Sequence, residues 1–148
     1  SFAVAYNPAM GPVLKVGVIP LNPDGSPRDV GDGPLNLHMF DALLDTGATN
    51  ACISSRVVSE VGLHPTGKSM MIGATGERET DEHFFGIAFV TSEEPQPTGE
   101  ISRQLEVRPV RGMLFDNGPS QFDVLIGRDI LCQGVFTMSF DGHFTLSF

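Results

Sequence analysis

The chain has 148 residues, 41% hydrophobic and 18% charged, which is enough for one domain over residues 1–148 to bury a core without disulfide or metal staples. A formal net charge of −9 argues against nucleic acid as a partner. No apolar run reaches the length of a membrane span, so the reading is a soluble domain, with the cytoplasm favoured; Ser1 in place of Met leaves room for a segment upstream.

Seventeen glycines and eleven prolines cut the chain into short apolar runs, the pattern of an all-β domain with many turns. "VLKVGVIPL" (Val13 to Leu21) alternates like a strand, and "LNLHMFDALL" (Leu35 to Leu44) is another. The polar stretch between them, "NPDGSPRDVGDGP", lacks the ligand spacing of a calcium loop and reads as a connector. "SSRVVSEVGL" (Ser54 to Leu63) predicts a helix capped by Ser54 or Ser55, with Gly62 at its left-handed end. "KSMMIGATGERETDEHFFGIAFV" predicts a long hairpin turning at "GATGE", and "TSEEPQPTGE" a solvated loop. "LEVRPVRGMLF" and "FDVLIG" read as strands and "RDILCQ" as a helical turn. "VFTMSFDGHFTLSF" reads as a hairpin joined at Asp141-Gly142. Its last strand would be an aggregation risk as an open edge, so pairing with a partner chain or with "SFAVAY" is expected.

Cys52 and Cys132 lie in apolar settings and read as buried free thiols acting as small hydrophobes. The four histidines have no metal-ligand spacing and read as mostly surface or strand residues; no metal and no cofactor is expected.

The chemistry-bearing segment is "FDALLDTGATNACIS", where an apolar run delivers Asp45 into Thr46-Gly47. Such an aspartate could be an ordinary turn residue. Downstream, however, come "MIGATGE" (Met71 to Glu77) and "VLIGRDIL" (Val124 to Leu131). The order "ALLDTGA", "MIGATG", "VLIGRDIL" resembles the retropepsin-like aspartic proteases over about Leu14 to Phe140. The resemblance implies an all-β, single-domain closed β-barrel of the acid-protease type, with a flap hairpin and one or two short helices. It implies that Asp45 is the catalytic carboxylate, that Thr46 braces the partner's active-site loop, and that Gly47 and Ala48 complete that loop. Thr49, Asn50 and the flap residues Ile72, Gly73, Ala74, Thr75 and Gly76 would contact substrate. Ile126, Gly127 and Arg128 would pack behind the loop. "MIGATGE" as a plain hairpin and Arg128 as a surface charge are the plainer alternatives.

Amide hydrolysis by water needs both a base and an acid, and two carboxylates sharing a proton supply both. The chain holds a single D-[ST]-G, so the second carboxylate must come from a second copy, giving a symmetric homodimer acting on a peptide or protein. The expected function is an aspartic endopeptidase, with autoprocessing as one role; a weak or inactive peptide-binding module is the alternative. Retroviral relatives pair the arginine after "LIG" with an aspartate just past D-T-G-A. Here Thr49 and Asn50 follow instead, so Arg128 needs another partner, with Asp123 and Asp129 as candidates. The flap carries Thr75 and Glu77 where retroviral flaps are mostly apolar, which suggests a wetter site.

Overall fold

The computed structural model describes residues 2–28, 37–73, 76–115 and 122–148. Leu35, Asn36, Ala74, Thr75 and the later part of the first connector lie outside them. In chain order the elements are β1 (Phe2–Ala5), β2 (Val13–Pro20), β3 (His38–Leu44), β4 (Cys52–Ser54) and α1 (Ser55–Val61). They continue with β5 (Pro65–Gly73), β6 (Gly76–Pro95), β7 (Ile101–Phe115), β8 (Val124–Ile126), α2 (Arg128–Leu131), β9 (Val135–Met138) and β10 (His143–Ser147).

The larger sheet runs β2-β3-β8-β4-β7-β6-β5, and an added β2–β6 pairing closes six of its strands into a barrel-like ring. β5 hangs outside that ring on β6, which makes β5 and the start of β6 a projecting hairpin. The ring is held from within: Val16, Val18, Phe40, Ile53, Phe85, Ile87, Val124 and Ile126 are all buried. β2 shows how sequence sets this. Its alternation is broken by a run buried on both faces, as suits a strand that pairs with β3 on one side and β6 on the other.

α1 forms where its caps allow. Ser54 accepts from the Val57 N–H, a cap worth about 1 kcal/mol. Gly62 ends the helix at φ 77°, a conformation that penalises any Cβ. The second sheet, β1-β10-β9, is antiparallel and packs Phe144, Leu146 and Phe136 against the core. β10 does pair with the N-terminal strand, Phe2 opposite Leu146 through Ala5 opposite His143.

Two expectations are corrected. The "TSEEPQPTGE" stretch is not a loop: β6 and β7 stay paired from Glu82–Met113 out to Pro95–Ile101, leaving only a tight turn over 96–100. Cross-strand partners such as Glu93 and Arg103 (3.2 Å) accompany the ladder through this proline-rich segment. The thiols are both free, but Cys132 is exposed at the end of α2 and Cys52 is only half-buried. His83, by contrast, is buried at 1% exposure. Among the described residues no helix is long and apolar enough to cross a membrane.

Candidate active site

β3 delivers Asp45 to the start of the loop whose next residues, Gly47 to Asn50, line a cleft. Its last residues run parallel to β8, Ala42–Leu44 beside Val124–Ile126, and the Asp45 N–H donates to the Ile126 carbonyl at 2.9 Å. The chain then turns at once: the Ala48 N–H donates to the Asp45 carbonyl, and the Gly47 N–H donates to Asp45 Oδ1 at 2.8 Å. A methyl at Gly47 would come within 3.1 Å of that same oxygen, so the absent side chain leaves the carboxylate room.

The loop is clamped from behind by the segment that follows β8. Gly127 lies so close that a Cβ would sit 2.8 Å from the Asn50 carbonyl group and 2.9 Å from the Ala48 oxygen. The Arg128 N–H donates to the Ala48 carbonyl (2.9 Å) and the Asp129 N–H to the Thr49 carbonyl (3.2 Å). Asp129 Oδ2 accepts from the Ala51 N–H at 2.9 Å. Burial pushes the Asp129 carboxyl up, opposed by the bonds it accepts from the Ala51 and Ile130 amides. The Arg128 guanidinium completes the clamp, donating to the Thr46 carbonyl at 2.8 Å and to Thr49 Oγ1 at 3.1 Å.

That last contact corrects the expectation for Arg128. Neither Asp123 nor Asp129 takes it: Asp123 accepts from Ser54 Oγ and Arg56, while Asp129 is committed to Ala51 and Ile130. The Thr49 hydroxyl stands in for the absent carboxylate, and a carbonyl of the loop provides the second acceptor. Asp129, a candidate partner for Arg128 by sequence, instead braces the loop through the Ala51 N–H. Its position in "GRDIL", one step after the arginine and at the start of a helix, was the available signal.

Above the loop lies a cleft of about 370 Å³. Gly47, Ala48, Thr49, Asn50 and Cys52 form its floor and one wall; Met113 and Leu125 come from the barrel, and Met70, Met71 and Ile72 from the projecting strand β5. The structure therefore brings Thr49, Asn50 and Ile72 together beside Gly47 and Ala48. Gly73 and Gly76 pair across the end of the hairpin, and Ala74 and Thr75 between them lie outside the described residues. Ile72 is 78% exposed, an apolar side chain left in solvent at the cleft mouth. The Cys52 thiol is pushed up to about 11, by burial first and then by the charges of Asp129 and Asp45, so it is no nucleophile at neutral pH.

Residues 30–130 match the sequence profile of the family described as "Aspartyl protease". The chain belongs to the aspartyl protease family. Similar solved structures include EIAV protease complexed with the inhibitor HBY-793, at 20% identity, covering 88% of this chain and 93% of that one, with a TM-score of 0.47. A retropepsin-like aspartic protease from Rickettsia conorii is 14% identical over 91% of each chain, with a TM-score of 0.46. No individually curated protein matches the sequence. Family membership and the ring of strands with its projecting hairpin make this chain a mainly β member of the aspartyl protease family, as the sequence motifs implied.

Proposed function

We propose that the chain is a homodimeric aspartic endopeptidase, residues 1–148 forming one protease domain whose active site is completed by a second copy. The observation that carries this reading is Asp45 itself, one per chain, held by the Gly47 amide beside an open cleft. Two Asp45 carboxylates, one per subunit, would share a proton and activate a water between them. At about 4 Å and an effective dielectric of 20, two like charges repel by roughly 4 kcal/mol, or about three pKa units. Such a split is established for aspartic proteases as a class, and its values belong to the pair. The ionised member takes a proton from water as it attacks the scissile carbonyl, and the protonated member serves the departing nitrogen.

In this scheme Thr46 faces the partner's loop, Gly47 and Ala48 offer backbone to an extended peptide, and Thr49, Asn50 and the β5–β6 flap flank its side chains. Ile126, Gly127 and Arg128 hold the loop in place. Substrate main chain would lie between flap and floor as an added strand, with alternate side chains entering pockets such as the 370 Å³ cleft. Self-cleavage of a precursor would be one use of the site. A non-cutting peptide binder is the rival reading, motivated by the missing aspartate after "DTGA", and the Arg128–Thr49 bond weakens that motive.

The deciding experiment is Asp45→Asn. Peptide cleavage should vanish while the fold and the dimer persist. Cleavage at the wild-type rate would end the proposal.

A further inference from the structure

β6 divides its side chains between two clusters. Phe85, Ile87 and Phe89 join the interior of the ring, while Phe84 and Ala88 join a separate small cluster with Ile19 of β2 and Leu21 just after it. An antiparallel strand that alternates in this way commonly turns its second face to water. Here that second face is apolar, and a pocket of about 340 Å³ opens on it. Leu21, Pro23, Leu63, Pro65 and Phe84 give it apolar walls, and Leu21 and Leu63 are buried. It shares no lining residue with the cleft beside the Asp45 loop. Its size is at the low end of the roughly 300–1,000 Å³ of small-molecule sites, which combine apolar walls with a few placed polar groups.

In a chain of net charge −9, no carboxylate lines this pocket among the described residues, whereas Arg28, His64 and Arg111 do. Arg28 donates to the Gly62 carbonyl at 2.6 Å, which holds its guanidinium at the pocket. Arg111 is the loosely paired cation. Lys15, Arg56, Lys68, Arg103 and Arg108 each have a carboxylate oxygen at 3.5 Å or closer. Glu82 stands 3.9 Å from Arg111 Nη1, beyond hydrogen-bond distance. The Arg111 guanidinium carbon lies 5.2 Å from the centre of the Phe84 ring. A guanidinium resting on an aromatic wall keeps its fork of N–H donors for a carboxylate, while the ring beneath it can take an apolar body.

We propose that this pocket binds a small organic carboxylate with an apolar body, the carboxylate on Arg111 and the apolar part against Phe84, Leu63 and Leu21. An inorganic anion would leave those walls without a partner. A neutral apolar molecule would leave the Arg111 donors unused. The site stands apart from the peptide cleft and does not depend on the protease reading.

The probe is 4-phenylbutyrate, titrated into the full chain at neutral pH and followed by backbone amide resonances; 4-phenylbutyramide is its neutral counterpart. The acid should bind saturably with a dissociation constant on the order of 1 mM. Resonances of His64, Thr66, Phe84 and Arg111 should move, and those of Gly47 to Asn50 should stay. The amide should bind about fivefold more weakly, for want of the ion pair. Arg111→Gln, at an exposed side chain, should weaken the acid about tenfold and the amide little. Arg103→Gln, further out on β7, should change neither. Thr66→Trp, which fills the exposed mouth of the pocket, should remove binding of both. Equal affinity for acid and amide, wild-type affinity for the acid in Arg111→Gln, shifts gathered at Gly47 to Asn50 instead, or no saturable binding would each overturn the site.

Discussion

Gly127 is the position at which fold and chemistry are most tightly coupled, and Gly127→Ala probes both. The added methyl would lie 2.8 Å from the Asn50 carbonyl carbon and oxygen and 2.9 Å from the Ala48 oxygen, well inside van der Waals contact. These are backbone atoms, and the Ala48 oxygen is already bound to the Arg128 N–H, so the loop can retreat only by breaking the clamp. Overpacking of this kind costs about 1–3 kcal/mol. With a urea slope of roughly 1–3 kcal/mol per molar, the unfolding midpoint should fall by about 1 M at matched protein concentration. The retreat also carries the Asp45 loop with it, and a displacement near 1 Å can cost about 100-fold in rate. Gly67→Ala is the control: a Cβ there meets nothing within 4 Å, and its backbone is outside the left-handed region. It should change stability by no more than about 0.5 kcal/mol. The steric reasoning is refuted if Gly127→Ala matches Gly67→Ala in both urea midpoint and kcat/KM.

Other expectations follow from single contacts. Thr49→Asp places a carboxylate where the Arg128 guanidinium now meets a hydroxyl at 3.1 Å; both residues are exposed, so thermal unfolding should show a gain of no more than about 1 kcal/mol. Arg128→Met removes the bonds to Thr46 and Thr49 and should lower kcat/KM more than it lowers the melting temperature, since the loop is what it holds. His83 is buried, its Nδ1 without a partner among the described residues, and desolvation holds its pKa below the ordinary 6.5, with Asp81 opposing and His64 reinforcing. Between the two values the unfolded chain binds more protons, so stability is full above about pH 6.5 and is lost as pH falls below it. Urea midpoints from pH 7 to 5 should drop less steeply in His83→Gln than in the wild type. If the shared-proton pair operates, kcat/KM should follow a bell on the acid side; a steady rise to pH 9 would contradict it.

Local signals were legible where one short segment decides the outcome. Ser54 and Gly62 bound α1 because cap chemistry needs nothing beyond the helix ends. Asp141-Gly142 turns the last hairpin for the same reason, and "SFAVAY" pairs with β10 because an apolar strand needs a covered edge. What failed depended on partners distant in sequence. The β6–β7 arm looks like a loop because Pro95, Pro97 and Gly99 dominate its composition, yet the strands are held by a continuous cross-strand ladder. The sequence offers Arg128 carboxylates as partners, whereas a carbonyl and a hydroxyl of a loop over seventy residues away supply the acceptors. The exposure of Cys132 likewise depends on how α2 sits against the sheets, which the apolar string "DILC" does not encode.

The claim that each active site needs an Asp45 from both subunits is tested most directly by mixing subunits. Wild-type chain is combined with increasing Asp45→Asn chain, the dimers are allowed to exchange, and peptide cleavage is measured per wild-type chain present. Mixed dimers hold one carboxylate and cannot share a proton, so activity per wild-type chain should fall in proportion to the wild-type fraction. Activity per wild-type chain that stays constant across the whole mixing series would contradict the account.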